Sequence, residues 1–319
     1  MFRAFTPDQR AQISAMTKAW LGLHGKQSTD NLTDKRAGDG LESQSVLHGP
    51  QGRARSPSDL QKIATNRDPL ARLYELENDL TQASALQKTF LPRSIPHIDS
   101  LKLFAVSRPA AKLGGDYYDF LHPDPQSLII SVGDISGKGL TAAMFMPLIY
   151  KVIRTSVKAT ASPSPRNMLA YASADLYADF VRNNMFATTF VAQYDLPRRR
   201  LRYANAGHSP VIYAPVGGGV HLLEADSAPM GVLPKTVCAN HEVRMGPGDL
   251  MVIGTDGLAE ARNRAGELFS YERLMGLIPL LADKSAAVMA HAIFGAVAAF
   301  TDGRAHDDDQ TLVILKGRQ

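Results

Sequence analysis

The sequence predicts an α/β fold of the α+β kind, with antiparallel sheets in the middle and helices outside, and three observations carry that expectation. Strand-like runs come in groups rather than alternating singly with helices, paired helical patterns separate the groups, and the strands are short. At about 150 residues per domain, a chain of 319 residues has room for roughly two domains.

The elements follow in chain order. Thr6-Pro7-Asp8-Gln9 has the form of a helix start, with Thr6 as N-cap, Pro7 at the first helical position and Gln9 closing a capping box. Ile13, Met16, Trp20 and Leu23 then share one face, which predicts an amphipathic helix over residues 1–24. Residues 25–66 turn to Ser, Thr, Asp, Asn, Gly and Arg with few apolar side chains and read as a flexible linker. Up to Asn66, nine Lys and Arg stand against six Asp and Glu, so +3 of the net +4 lies here, scattered rather than clustered. A linker helix over 67–95 begins behind Asp68-Pro69, carries Leu73, Leu76, Leu80, Ala83, Gln87 and Phe90 at 3-4 spacing, and is stopped by Pro92. This short heptad seam has two readings: a helix lying on the following domain, or a coiled coil forming a weak homodimer through the 70–91 helix.

Residues 96–319 form the α/β domain. Strands are predicted at Leu101 to Ser107, Leu128 to Gly133, Ala187 to Tyr194, Leu201 to Ala204, Val211 to Ala214, Val220 to Leu223, Glu242 to Met245, Leu250 to Gly254 and Thr311 to Leu315. Helices are predicted at Leu140 to Lys158, Pro165 to Val181, Tyr271 to Leu281 and Ser285 to Thr301. Met144, Phe145, Met146, Leu148 and Ile149 read as the buried face of the first of these.

Composition narrows the function classes. The single cysteine, Cys238, allows no intramolecular disulfide and no thiolate zinc cluster, which fits a reducing compartment. With 45% hydrophobic and 21% charged residues the chain is ordinary globular material, and a net charge of +4 does not call for nucleic acid. The nearly charge-free stretch Ala286 to Phe300 is shorter than the roughly 20 residues that cross a bilayer. The start Met-Phe-Arg-Ala-Phe lacks an apolar signal core, so a cytoplasmic location without a transmembrane segment is expected.

The chemistry is concentrated in four aspartates, each beside a strongly apolar run and at a strand end or glycine turn: Asp116, Asp134, Asp256 and Asp308. A carboxylate at the end of a buried strand is costly to desolvate unless it is paired or binds a cation, although Asp-Gly and Gly-Asp are also common turn formers. With oxygen donors and no thiolate pair or His-rich spacing, hard divalent cations are favoured, Mn²⁺ or Mg²⁺, two ions bridged by one carboxylate. Such a pair generates a hydroxide nucleophile and neutralises phosphoryl charge, which makes phosphate-ester hydrolysis the natural reaction. Two other phosphate motifs fail. A P-loop would need a glycine at Val132 and a hydroxyl residue at Gly139, and Gly114-Gly115-Asp116 continues with Tyr117-Tyr118 instead of the Glu-Phe of diguanylate cyclases.

Four ordered motifs remain: Gly114-Gly115-Asp116-Tyr117-Tyr118-Asp119, Gly133-Asp134-Ile135-Ser136-Gly137-Lys138-Gly139, Gly254-Thr255-Asp256-Gly257 and Asp308-Asp309-Gln310-Thr311-Leu312, joined by Asn205-Ala206-Gly207-His208-Ser209-Pro210. From about Ser100 to Lys316 the chain thereby resembles the PPM (type 2C) serine/threonine protein phosphatases of the bacterial SpoIIE/RsbU-like branch. The resemblance implies an αββα sandwich with a binuclear Mn/Mg centre. Asp134 would bridge both ions, Asp116 and the Ile135 carbonyl would complete one site, and Asp256 and Asp308 would hold the other. Asp119 and Asp309 would accept hydrogen bonds from water at the ions, or else stand in solvated acidic turns. Where eukaryotic members carry a histidine as general acid, this chain has Ser136, a poor acid near neutrality. Arg108 and Lys112 are the candidates for the phosphate-binding charge, unless they are solvated loop residues. His208 is expected to order a hairpin. The implied activity is dephosphorylation of phosphoserine or phosphothreonine on a regulatory protein, with an anti-sigma antagonist as the family expectation for the partner. The alternative is a catalytically inactive interaction protein on the same fold.

Overall fold

A computed structural model describes residues 69–159 and 163–318; the helix expected over 1–24 and the linker over 25–66 lie outside the described residues. The chain divides into two units, Met1–Asp79 and Leu80–Gln319. The boundary falls inside helix α1 (Pro69–Lys88), which ends two residues short of the expected Phe90 because Thr89 and Phe90 close it with turns onto the Leu86 and Gln87 carbonyls. Leu80, Ala83 and Gln87 are half-buried, whereas Leu73 and Leu76 are 63% and 57% exposed.

The second unit opens with β1 (Leu101–Arg108), β2 (Tyr117–Asp124) and β3 (Ser127–Ile135), followed by the helix pair α2 (Leu140–Ala159) and α3 (Pro165–Asn183). Strands β4 (Ala187–Asp195), β5 (Arg200–Ala206), β6 (Val211–Ala214), β7 (His221–Leu223), β8 (His241–Arg244) and β9 (Leu250–Gly254) come next. A single turn α4 (Asp256–Ala259), helices α5 (Ser270–Leu281) and α6 (Ala286–Thr301), and strand β10 (Gln310–Gly317) complete the chain. One five-stranded antiparallel sheet runs β1-β10-β9-β6-β7 and the other β2-β3-β4-β5-β8.

Period-2 alternation decides which side chains meet where. Even-numbered residues of β2 and β3 (Tyr118, Phe120, Leu128, Ile130, Val132) join odd-numbered residues of β9 and β10 (Met251, Ile253, Val313, Leu315) in a core between the sheets. Tyr117, Ile129 and Ile135 face the other way and pack with α2 and α3. Leu250, Val252, Leu312 and Ile314 pack with α4 to α6. The layers are therefore helix pair, sheet, sheet, helices, as the resemblance implies. Phe145, Met146 and Ile149 of α2 are buried as expected, but Met144 and Leu148 are 67% and 46% exposed, a correction. A 100° helical step cannot turn five near-consecutive residues to one face. Helix α2 is long and apolar enough by composition to cross a bilayer, yet seven of its residues, Ala142 to Ser156, are buried against the sheet.

Strand β2 was absent from the sequence-based expectation. Its Tyr117-Tyr118-Asp119 start carries glycines on one side and a buried acid inside, features that mask strand character until the pairing with β3 satisfies its backbone.

Candidate active site

The register of β2 on β3 dictates the first pair of acids. Tyr117 lies opposite Gly133, so Asp116 and Asp134 occupy the next opposed step, beyond the paired residues. Both continue the even-numbered face that points between the sheets, and like charges directly opposite repel. Burial raises the Asp116 carboxyl well above its ordinary range despite hydrogen bonds from Thr311 and Thr255, with Asp309 and Asp256 adding to the rise. Asp134 is likewise raised, by burial first and then by Asp116, Asp256, Asp308 and Asp309.

The other sheet delivers the second pair at the same end. Strand β9 stops at Gly254, where an added Cβ would come within 2.9 Å of Leu258, and Thr255 donates its hydroxyl to Asp116 at 2.7 Å. Asp256 then opens α4; burial, followed by Glu260 and Asp308, pushes its carboxyl up to about 6. Asp308 precedes β10 and pairs with Lys138 at 3.0 Å, both side chains being partly exposed. Gly115 is required beside Ile135, because a Cβ there would stand 2.9 Å from the Ile135 carbonyl oxygen. The fold thus brings Asp116, Asp134, Ile135, Asp256 and Asp308 to one end of the sandwich.

The partners of Asp119 and Asp309 exclude the solvated-turn alternative for both. Asp119, odd-numbered on β2, faces α2, is 1% exposed, and receives both Nε and Nη2 of Arg154 at 2.7 and 2.8 Å. Asp309 is also buried, and its carboxylate accepts the amides of Ala110 at 2.8 Å and Gly115 at 2.7 Å, pinning the loop that carries Asp116. Neither is a solvated turn. Arg108 and Lys112 point elsewhere: the Arg108 guanidinium stacks 3.9 Å over the Phe294 ring, and Lys112 donates to Thr81 at 3.3 Å.

Ser136 is tied to the backbone, accepting the Phe186 amide at 2.8 Å while its own amide bonds the Phe186 carbonyl. The turn after β5 is ordered by Asn205, which accepts the His208 amide at 2.7 Å and donates to the His208 carbonyl at 3.1 Å. His208 itself is buried, its ring lowered to about 3 by desolvation and set 3.2 Å from Thr188. Three contributors were missed from sequence: Lys138, Thr255 and Gln87. The first two stand inside the quoted motifs and carried a polar signal. Gln87 gave only its misfit at an apolar seam position; its amide donates to the Gly114 carbonyl at 2.7 Å and accepts the Gly114 amide at 3.2 Å.

Among the described residues no three His, Cys, Asp or Glu side chains close on one point, so the carboxylates are neighbours rather than a finished coordination shell. Their chemistry still fits hard divalent cations. The donors are all oxygens, one buried and three half-buried acids share one end, and their mutual repulsion is the interaction that a dication would reverse.

Residues 124–318 match the model of a family described as Stage II sporulation protein E (SpoIIE), over well more than half of the chain. The chain is 29% identical over 245 residues to the phosphoserine phosphatase RsbU of Bacillus subtilis, covering 76% of this chain and 71% of that protein. It is also 29% identical over 221 residues to protein IcfG of a Synechocystis species, 62% of this chain but only 35% of the relative's length. Among solved structures it resembles the SiaA-PP2C domain of Pseudomonas aeruginosa, with a TM-score of 0.69 at 22% identity, over 77% of this chain and 98% of that one.

Proposed function

The chain belongs to the SpoIIE family, and from that premise we propose that it is a metal-dependent protein serine/threonine phosphatase that hydrolyses phosphoserine or phosphothreonine on a regulatory protein. The observation that carries this reading is the opposed pair of carboxylates Asp116, buried, and Asp134, half-buried, joined by Asp256 and Asp308 from the second sheet. A structural pair would carry a partner charge of its own; here, among the described residues, only Lys138 reaches the acids, at Asp308, and bound cations would supply the rest.

In this reading Asp134, Asp116 and the Ile135 carbonyl would hold one Mn²⁺ or Mg²⁺ ion, and Asp134, Asp256 and Asp308 would hold the other. When bound, the ions supply an activated water and neutralise the charge of the phosphoryl group. The chain's own contribution is orientation. Thr255 fixes Asp116 by its hydroxyl, and Asp309 fixes the 110–116 loop through backbone amides. Ser136 does not serve as general acid in this reading, since an aliphatic hydroxyl is a poor acid near neutrality, and its oxygen accepts the Phe186 amide.

For the partner, a phosphorylated anti-sigma antagonist is the substrate class we favour, as the family resemblance implies, beside a relative named as a phosphoserine phosphatase. A weak homodimer through the 70–91 helix completes the reading, supported by the exposure of Leu73 and Leu76. A cytoplasmic location is proposed with it.

The test is phosphate release from a phosphoserine protein by purified chain with Mn²⁺. Release that Asp134→Asn abolishes while leaving the circular dichroism spectrum intact supports the enzyme. Absence of both Mn²⁺ binding in calorimetry and phosphate release would favour a non-catalytic interaction protein.

A further inference from the structure

We propose that Lys138 is the phosphate-binding residue of this site, parked on Asp308 until divalent cations take that carboxylate; the inference rests on the phosphatase reading above. A phosphoryl dianion beside four carboxylates needs positive charge that belongs to the protein, and the two residues first expected to supply it are engaged elsewhere, Arg108 on Phe294 and Lys112 on Thr81. Lys138 alone of the three stands at the acids. Its ammonium lies 3.0 Å from Asp308, bonds the Asp307 carbonyl, and lowers the Asp256 carboxyl.

Its placement follows from the local chain. Lys138 sits between Gly137 and Gly139, which adopt φ of 86° and 70°. That left-handed turn, three residues after the end of the apolar strand, lifts the lysine stem out of the core. A Cβ on Gly139 would meet no atom within 4 Å, so the turn borders open space. Lys138 lines a cleft of about 410 Å³ together with Asp308, Arg262, Arg304 and His306. Arg304 is held by Asp307 at 2.9 Å, which leaves Lys138 as the cleft's cation in contact with a candidate metal ligand.

The Lys138–Asp308 pair is exchangeable. Its side chains are 61% and 39% exposed, and solvent-exposed pairs of this kind contribute little net free energy. A dication binding directly to Asp308 displaces a hydrated ammonium, and a flexible four-carbon stem then keeps the charge beside the acids, where a phosphoryl oxygen can accept from it. One residue thus covers the acid in the metal-free protein and meets substrate in the loaded one.

The experiment compares full-length wild type with Lys138→Met and Lys138→Arg. Calorimetry with Mn²⁺ alone, at low salt, is expected to show about two- to fivefold tighter binding by Lys138→Met, the displaced pair being gone. The KM for p-nitrophenyl phosphate and the inhibition constant of inorganic phosphate should both rise about tenfold or more in Lys138→Met, as for loss of a charged hydrogen bond, and return most of the way in Lys138→Arg. Unchanged Mn²⁺ affinity together with unchanged phosphate constants overturns the inference while leaving the phosphatase standing. A rise in KM that Lys138→Arg does not rescue overturns it as well, since charge is then not the property that matters. A wild type that neither binds Mn²⁺ nor releases phosphate removes both readings together.

Discussion

Asp116 and Asp119 lie three residues apart on one chain segment, both buried, and meet opposite fates. Asp119 has its cation built in: Arg154 of α2 grips it with two nitrogens and stacks 4.5 Å over the Tyr150 ring. Asp116 faces the opposite way and finds Thr255 and more carboxylates. Odd spacing on a strand puts the two on different faces, so one acid fastens a helix to a sheet and the other joins a cluster of acids. A buried acid with its own cation fastens the fold, and a buried acid without one carries a desolvation cost that the proposed metal site would answer.

The largest expected effect separates the two directly. Asp134→Asn removes the acid at the centre of the cluster and should lower kcat by on the order of a thousandfold, the equivalent of several kcal/mol of metal-assisted stabilisation. Asp119→Asn, measured in the same phosphate-release assay, should stay within about tenfold of wild type, as expected for a group acting through packing.

Stability should reverse that order. Arg154→Met leaves Asp119 buried without its partner and should cost about 2–3 kcal/mol in urea unfolding. This is less than the loss from a fully buried pair, because the Arg154 side chain is 37% exposed. In metal-free buffer Asp134→Asn should instead stabilise the fold by about 1 kcal/mol, by relieving like-charge repulsion, and should lose the rise in Tm that Mn²⁺ gives the wild type.

The pH dependence sharpens the same contrast. Burial and neighbouring acids raise the folded-state pKa of Asp134 above its ordinary 3.8, so the folded chain holds the proton more tightly than the unfolded one. The cluster then costs nothing below that ordinary value, and its cost grows as pH rises through the folded pKa values, Asp256 lying at about 6. The advantage of Asp134→Asn in thermal unfolding should therefore vanish near pH 4 and grow as pH rises above it. A constant advantage across that range would remove the repulsion from the account.

The smallest effect expected is at Gln87→Leu. Its amide clamps the Gly114 backbone from α1, and the loss should be about 1 kcal/mol per hydrogen bond, read as earlier hydrogen exchange at Gly114.

Much of this architecture was legible in the chain itself. Apolar runs such as Leu128 to Val132 and Leu312 to Leu315 mark buried strands through composition alone, and the four aspartates beside such runs announce a desolvation problem that local structure does not solve. Local signals fail where a residue's meaning depends on a partner far along the chain. Asp119 reads as an acidic turn until Arg154 arrives from α2, and Asp309 reads the same until the 110–116 loop closes over it. Lys112 and Arg108 are near the motif in sequence and are turned away from the acids by Thr81 and Phe294. Strand β2 escaped notice because glycines and acids obscure its period, and only pairing with β3 makes it a strand. Residue type and spacing thus determined which groups must avoid water or find a charge. Strand register and the face each side chain takes, both properties of long-range pairing, decided which of those groups found one inside the protein and which were left to seek it outside.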